Sequence, residues 1–440
     1  MRVPLLVTAL ITLVADDPRL PSTDPARVGL SPERLAAVDR IVRRGMDAGG
    51  YPGAALIIGR DGYVVFNRGF GKLEWKASSP AVTDSTIYDV ASMTKAIALT
   101  AAAMVLFDDG KLPLDAPVQR FLPEFTGRGK EKVTIRMLLS HHSGLPPGRK
   151  LWGRTRSPAH ARQLILETPL TPCGAGPCLD YSDLGTATLG WVIEKITGES
   201  LDKFVARRVF APLKMASTMY KPPSSLLPRI APAEHYSKRG FIHGVVHDDA
   251  GYLLGGIAGH AGLFASAADL AVFAQTMLNG GEFNGTRVFA DSTVRIFTAH
   301  QKHSRTLGWE LADSVHGAGW NMSMSAYGHT GYTGTSIWID PERRMYVVLL
   351  TNRTYEPKAK RSQDLLADVR NDVADAAMFS IVSDRSVRVP PRIVYRSDTA
   401  RTWDLARRPA WRDKWEERKP TTNRPPTIGP APVGKSSQSR

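Results

Sequence analysis

Two short stretches near the N-terminus and two near the C-terminus carry β-branched, aromatic and aliphatic residues at strand length, whereas the long middle reads as helices and loops. Residues 54–59 and 63–67 flank Arg60-Asp61-Gly62 and predict a hairpin. Residues 336–339 and 345–350 flank Asp340-Pro341-Glu342-Arg343-Arg344 and predict a second. An amphipathic helix is expected over 31–46, opened by Ser31-Pro32-Glu33, and a closing helix over about 361–378. Another is expected over 184–196, stopped by Gly198. The run 91–107, ASMTKAIALTAAAMVLF, lacks Pro and Gly, is apolar nearly all round and stops at Asp108-Asp109-Gly110, so it predicts a buried helix. Strands at both ends around a helical middle predict an α+β fold. Its antiparallel sheet is built from N- and C-terminal strands and flanked by helices, with a mostly helical insert over about 91–280.

The buried helix carries the first candidate chemistry. Ser92 and Lys95 are three residues apart, so a helix places both on one face. A serine hydroxyl needs a base, and a lysine desolvated at the start of a buried helix is expected to have a lowered pKa. The alternative is a solvated Lys95 beside a merely capping Ser92. Ser200 and Lys203 repeat the spacing on a helix that also carries Asp202, Arg207 and Arg208, and there Ser200 reads as a cap. Tyr181 lies between a turn-rich stretch and the 184–196 helix, where a phenol with its pKa lowered by a nearby lysine can carry protons. Asp183 either caps that helix or faces a substrate. His329-Thr330-Gly331 precedes the C-terminal hairpin, whose edge suits an acyl group, with the Ser92 and Tyr332 amides as oxyanion donors.

In this order, S-x-x-K at Ser92 and Lys95, Tyr181-Ser182-Asp183, and His329-Thr330-Gly331 resemble the motifs of the β-lactamase-related serine hydrolases, which include class C β-lactamases, esterases and DD-peptidases. The resemblance runs from about 31 to about 380 and includes VTIRMLLSHHSGLP at 133–146 and HGVVHDDAGYLLGGIAGHAGLF at 243–264. The latter block resembles a subgroup of cell-wall amidases, carboxypeptidases and esterases. The resemblance implies Ser92 as nucleophile, Lys95 and Tyr181 as its base pair, and a β-lactamase/transpeptidase-like fold without cofactor or metal. Asp183, His329, Thr330, Gly331 and Tyr332 are implied to meet substrate. Asp183 replaces the family's Asn, and His329 replaces a lysine that binds the antibiotic carboxylate. A histidine is only partly charged near neutral pH, which argues against strong β-lactamase activity.

Composition narrows the rest. Of the net charge of +15, +9 falls within residues 385–440, where 14 Lys/Arg meet 5 Asp/Glu among many prolines. This reads as a disordered tail, free or lying against anionic wall polymer or membrane, and not as a nucleic-acid-binding fold. Arg2 followed by apolar residues 3–15 reads as a short secretory signal. In an exported protein Cys173 and Cys178 are expected to pair; two free thiols are the alternative. His141, His142, His243, His247, Asp248, Asp249 and His260 are of metal-ligand type but form no H-E-x-x-H, and no G-x-S-x-G elbow occurs. Together with the export signal, the resemblance implies an exported serine esterase or peptidoglycan amidase/D-Ala-D-Ala carboxypeptidase-like enzyme. A weak β-lactamase and a wall-binding protein that retains only the pocket are the alternatives.

Overall fold

The computed structural model describes residues 20–312, 317–355, 362–384 and 386–399. The proposed signal and most of the basic tail lie outside the described residues. Nine strands matter for the site: β1 (Gly53–Arg60), β2 (Tyr63–Gly71), β3 (Ile87–Asp89), β4 (Met219–Tyr220), β5 (Leu263–Ser266), β6 (Glu310–Leu311), β7 (Tyr327–Thr330), β8 (Ser336–Asp340) and β9 (Met345–Thr351). The main sheet runs β6-β7-β8-β9-β1-β2, so the two terminal hairpins meet where β9 pairs antiparallel with β1. A small sheet, β3-β5-β4, lies apart from it. The hairpin between β1 and β2 turns at Asp61 and Gly62, both at positive φ (51° and 87°), the conformation that suits a two-residue connection.

β1 and β9 are buried along their whole length because both sheet faces are covered. Ala54, Leu56, Ile58, Val347 and Leu349 pack with helices α1 (Pro32–Leu35), α2 (Ala37–Asp47) and α8 (Ser362–Phe379). Ala55, Ile57, Val348 and Leu350 belong to the larger core. That core also holds α3 (Ala101–Asp108), α4 (Asp183–Thr197), α5 (Leu201–Val205) and α7 (Ala267–Leu278); α6 (Asp249–Leu253) sits at its edge. The sheet therefore separates a terminal helical layer from the helical middle, and the candidate site lies on the latter side.

Three local expectations change. The 31–46 helix is interrupted at Ala36, where Asp39 N–H reaches Ala36 O in an i to i+3 bond. The 91–107 helix is a 3-10 turn at Ala91–Met93, a π-helical segment at Lys95–Thr100 and only then α3. Widened turns of this kind occur within helices at functional sites. The chain also stays packed beyond the expected domain end near 380. Tyr395 is buried against the α2/α8 layer, and the Asp372 carboxylate accepts from Arg396 N–H and Ser397 N–H. An apolar anchor and a capped turn hold this stretch despite its proline-rich composition.

Candidate active site

β3 delivers the chain to Ser92. The buried Asp89 carboxylate accepts from Ala91 N–H (2.8 Å) and from His247 N–H (2.6 Å). Ala91 is held at φ 45°, a strained conformation for a residue with a Cβ, and its neighbour Ser92 faces the cleft. Lys95 is 1% exposed, and its Nζ lies 3.2 Å from Ser92 Oγ, 3.1 Å from His260 O and 2.7 Å from Asp183 Oδ1. The i, i+3 pairing expected from spacing is present, and two distant segments complete it.

The tyrosine loop is fixed from behind by the 133–146 block. His141 O accepts from Asp180 N–H (2.9 Å), and His141 Nδ1 accepts from Ser182 N–H (3.0 Å). The imidazole also packs on the Tyr181 ring at 4.5 Å between centroids. Gly176 N–H donates to His142 O and Asp183 N–H to Pro147 O, and the sulfurs of Cys173 and Cys178 are bonded within the same loop. Tyr181 is thereby brought within hydrogen-bonding reach of Ser92 and Lys95. On its outer side the Arg305 guanidinium sits 5.1 Å from the ring, itself paired with buried Glu310 at 3.0 Å.

The electrostatics reverse two expectations. Burial pushes the Lys95 ammonium down, but Asp183 and Tyr181 overcome it and the net direction is up, not down. Burial pushes the Tyr181 phenol up, and Lys95 pulls against that without reversing it. Asp183 does not cap α4. Ser182 does, its hydroxyl accepting from Gly185 N–H at 3.1 Å, and this leaves the Asp183 carboxylate free for Lys95.

The 329–332 turn is lashed to the segment that leads from β3 to Ser92. Thr333 Oγ1 donates to Asp89 O and Thr335 Oγ1 to Val90 O. Arg370 donates from behind to the carbonyls of Gly331 and Thr335. A Cβ on Gly331 would lie 2.4 Å from Val90 O, so only glycine permits this approach. Among the described residues no backbone carbonyl accepts from Tyr332 N–H, in keeping with a donor kept for a ligand. Thr330 is half-buried, and the Tyr332 ring is exposed at the rim, stacked on His247 and under Arg353. His329 departs from its expected role. It is 1% exposed, its Nδ1 is 2.8 Å from Thr330 O, and burial pushes it down to about 4. Its ring centroid is 6.3 Å from that of Tyr181, and burial disfavours its charged form.

A cavity of about 480 Å³ opens over Ser92, bounded by Asp183, His247, Asp248, His260 and Tyr332. Two carboxylate–imidazole pairs line it, Glu234 with His247 and Asp248 with His260, each at 3.0 Å. Residues of metal-ligand type in the 243–264 block thus appear as wall pairs. Asp249 is engaged by Lys238 and Arg239, and His243 Nε2 faces the carbonyls of Leu227 and Ile230. The positioning roles of Asp89, His141 and His260 were not assigned from sequence. The two histidines stood out in the sequence as residues of metal-ligand type and through the blocks, at 133–146 and 243–264, that carry them.

With this geometry in hand, likeness to known proteins becomes informative. Residues 38–371 match the family described as Beta-lactamase. The chain belongs to that family. Its members are serine hydrolases, with carboxypeptidases and esterases among them. A protein of Escherichia coli (strain K12) named "Putative D-alanyl-D-alanine carboxypeptidase" is 33% identical over 397 residues, covering 81% of this chain and 90% of that protein. A penicillin-binding protein homologue from Caulobacter crescentus superposes with a TM-score of 0.63 at 20% identity, over 79% of this chain and 99% of the other. A family VIII carboxylesterase does so with a TM-score of 0.61 at 20% identity, over 78% and 98%. These two solved structures establish the β-lactamase-family fold for this sheet and its helical insert.

Proposed function

We propose that this β-lactamase-family protein is an exported hydrolase that forms an acyl-enzyme on Ser92, acting on wall peptides of the D-alanyl-D-alanine type or on small esters. The observation that carries the reading is Lys95 Nζ at 3.2 Å from Ser92 Oγ, on the floor of an open cavity. In the acylation step Ser92 Oγ attacks the substrate carbonyl and its proton passes to neutral Lys95. The Ser92 and Tyr332 amides receive the oxyanion, and Tyr181 gives its proton to the leaving group and takes one back from Lys95. Deacylation runs the same transfers with water as nucleophile. The 33% identity to a carboxypeptidase-named relative supports the peptide arm, and the esterase among the fold neighbours supports the ester arm. The apolar N-terminal stretch and the bonded cysteine pair support export. A neutral His329 gives no support to a strong β-lactamase.

Intact-mass measurement of the purified protein with an aryl ester, a muropeptide and a penicillin separates the substrate classes. The expected result is turnover of muropeptide or ester with an acyl adduct trapped on Ser92. Rapid penicillin hydrolysis, with no turnover of the other two, contradicts the reading. A protein that binds muropeptide yet forms no adduct with any of the three would be a wall-binding protein.

A further inference from the structure

We propose that Asp183 acts through Lys95 as its fixed counter-ion, holding it as an ammonium in the resting enzyme so that Ser92 becomes nucleophilic only as that proton is lost at higher pH. This inference rests on the proposed Ser92 acyl-enzyme. The geometry around Nζ supports it. An ammonium has three N–H donors, and three oxygens surround this one: Asp183 Oδ1, His260 O and Ser92 Oγ. Two of them only accept. The third, Ser92 Oγ, either accepts from the ammonium or donates its proton to the neutral amine, and the latter is the reactive arrangement.

The charge at position 183 decides between them. An asparagine here would offer an oxygen without net charge, whereas the carboxylate stabilises the ammonium against the amine. Asp183 is free for this because Ser182 performs the capping of α4, and because its backbone N–H is tied to Pro147 O.

Of the other groups facing Lys95, Tyr181 works in the same direction but is common to the native and Asp183→Asn proteins, and none of the rest is a carboxylate in contact with Nζ. Tyr181 lies with its ring centroid 5.0 Å from Nζ and is a neutral phenol at rest. Asp248 is paired with His260, and Arg305 with Glu310. His141 and His329 are buried imidazoles that burial keeps uncharged near neutral pH. Among the described residues Asp183 is the one carboxylate in ion-pair contact with Lys95.

The Lys95 ammonium first gives a proton to solvent. The Ser92 O–H proton then moves to the Lys95 amine as Oγ bonds to the carbonyl carbon, or to the phosphorus of a fluorophosphonate; the bond from that atom to the leaving group breaks, and the leaving group takes the electron pair.

The test is the rate of Ser92 labelling by a fluorophosphonate as a function of pH, which needs no knowledge of the substrate. In the native protein the rate is expected to keep rising into the alkaline range. In Asp183→Asn the midpoint is expected to fall by at least ~1 pH unit, so that labelling at pH 7 is at least ~10-fold faster. Asp183→Glu keeps the charge and should keep the high midpoint, which separates charge from shape. Circular dichroism confirms that each variant is folded. Ser92 labelling with superimposable profiles in native and Asp183→Asn protein, or an equal shift in Asp183→Glu, overturns the inference alone. Absence of any Ser92 adduct at every pH removes the acyl-enzyme reading and this inference with it.

Discussion

The chain contains the same four-residue pattern twice, at Ser92–Lys95 and at Ser200–Lys203, and the fold treats the two copies in opposite ways. Lys95 is buried under a widened helical turn and meets oxygens from three separate segments. Lys203 projects from α5 into solvent. Ser200 occupies the position ahead of α5 but makes no side-chain cap, and the Leu201 N–H there donates to Glu194 Oε1 at 3.1 Å. Spacing thus brings a serine and a lysine to one helical face. Reactivity needs the desolvation and the converging partners that only the first copy receives from Tyr181, Asp183 and His260.

The largest contrast is expected from the serines themselves. Ser92→Ala should abolish turnover of any substrate found, while Ser200→Ala should match the native protein; steady-state assay of both checks it, and residual turnover in Ser92→Ala breaks the comparison. Next come the bases. Lys95→Ala and Tyr181→Phe should each lose at least ~10²-fold in kcat/KM, the scale of a lost general base. Lys203→Ala, a change at an exposed position, should stay within about twofold, with stability altered by less than ~0.5 kcal/mol. Near-native rates in either Lys95→Ala or Tyr181→Phe would mean that another group serves Ser92.

The last contrast is in stability and not in rate, and concerns His329, which packs beside the first copy. His329 is held near 4, below the ordinary 6.5 of an unfolded chain. Between these values the unfolded state takes up a proton that the folded state refuses, so stability falls as pH drops from 6.5 towards 4 and is unaffected by this group above 6.5. The contribution approaches about 3 kcal/mol at the acid end. Urea unfolding at pH 7 and pH 4 should show that His329→Gln loses correspondingly less than the native protein. An equal loss would mean that His329 is charged, or free to become so, in the folded state.

Much of the fold was legible because its signals are local. The two hairpins are marked by Asp61-Gly62 and by Asp340-Pro341, and the stop of α4 by Gly198 at φ 70°. The antiparallel sheet formed by joining both ends followed from that layout, and the register of β1 against β9 bears it out. The residues forming the Ser92 cluster were also nameable from motif order. Their electrostatics were not. The direction of Lys95's shift depends on Asp183, far along the chain, and that of His329 on its burial at the end of β7. Single-sequence periodicity carries no information on such contacts. The π-helical turn at Lys95–Thr100 and the packing of Tyr395 arise in the same way, from distant partners.

The most direct test of the account is to treat the protein with a fluorophosphonate at alkaline pH, digest it and locate the modified peptide by mass spectrometry. The account predicts a single adduct on Ser92, absent in Ser92→Ala and strongly slowed in Lys95→Ala, with Ser200 untouched. An adduct on Ser200, or one that persists undiminished in Ser92→Ala, would contradict it.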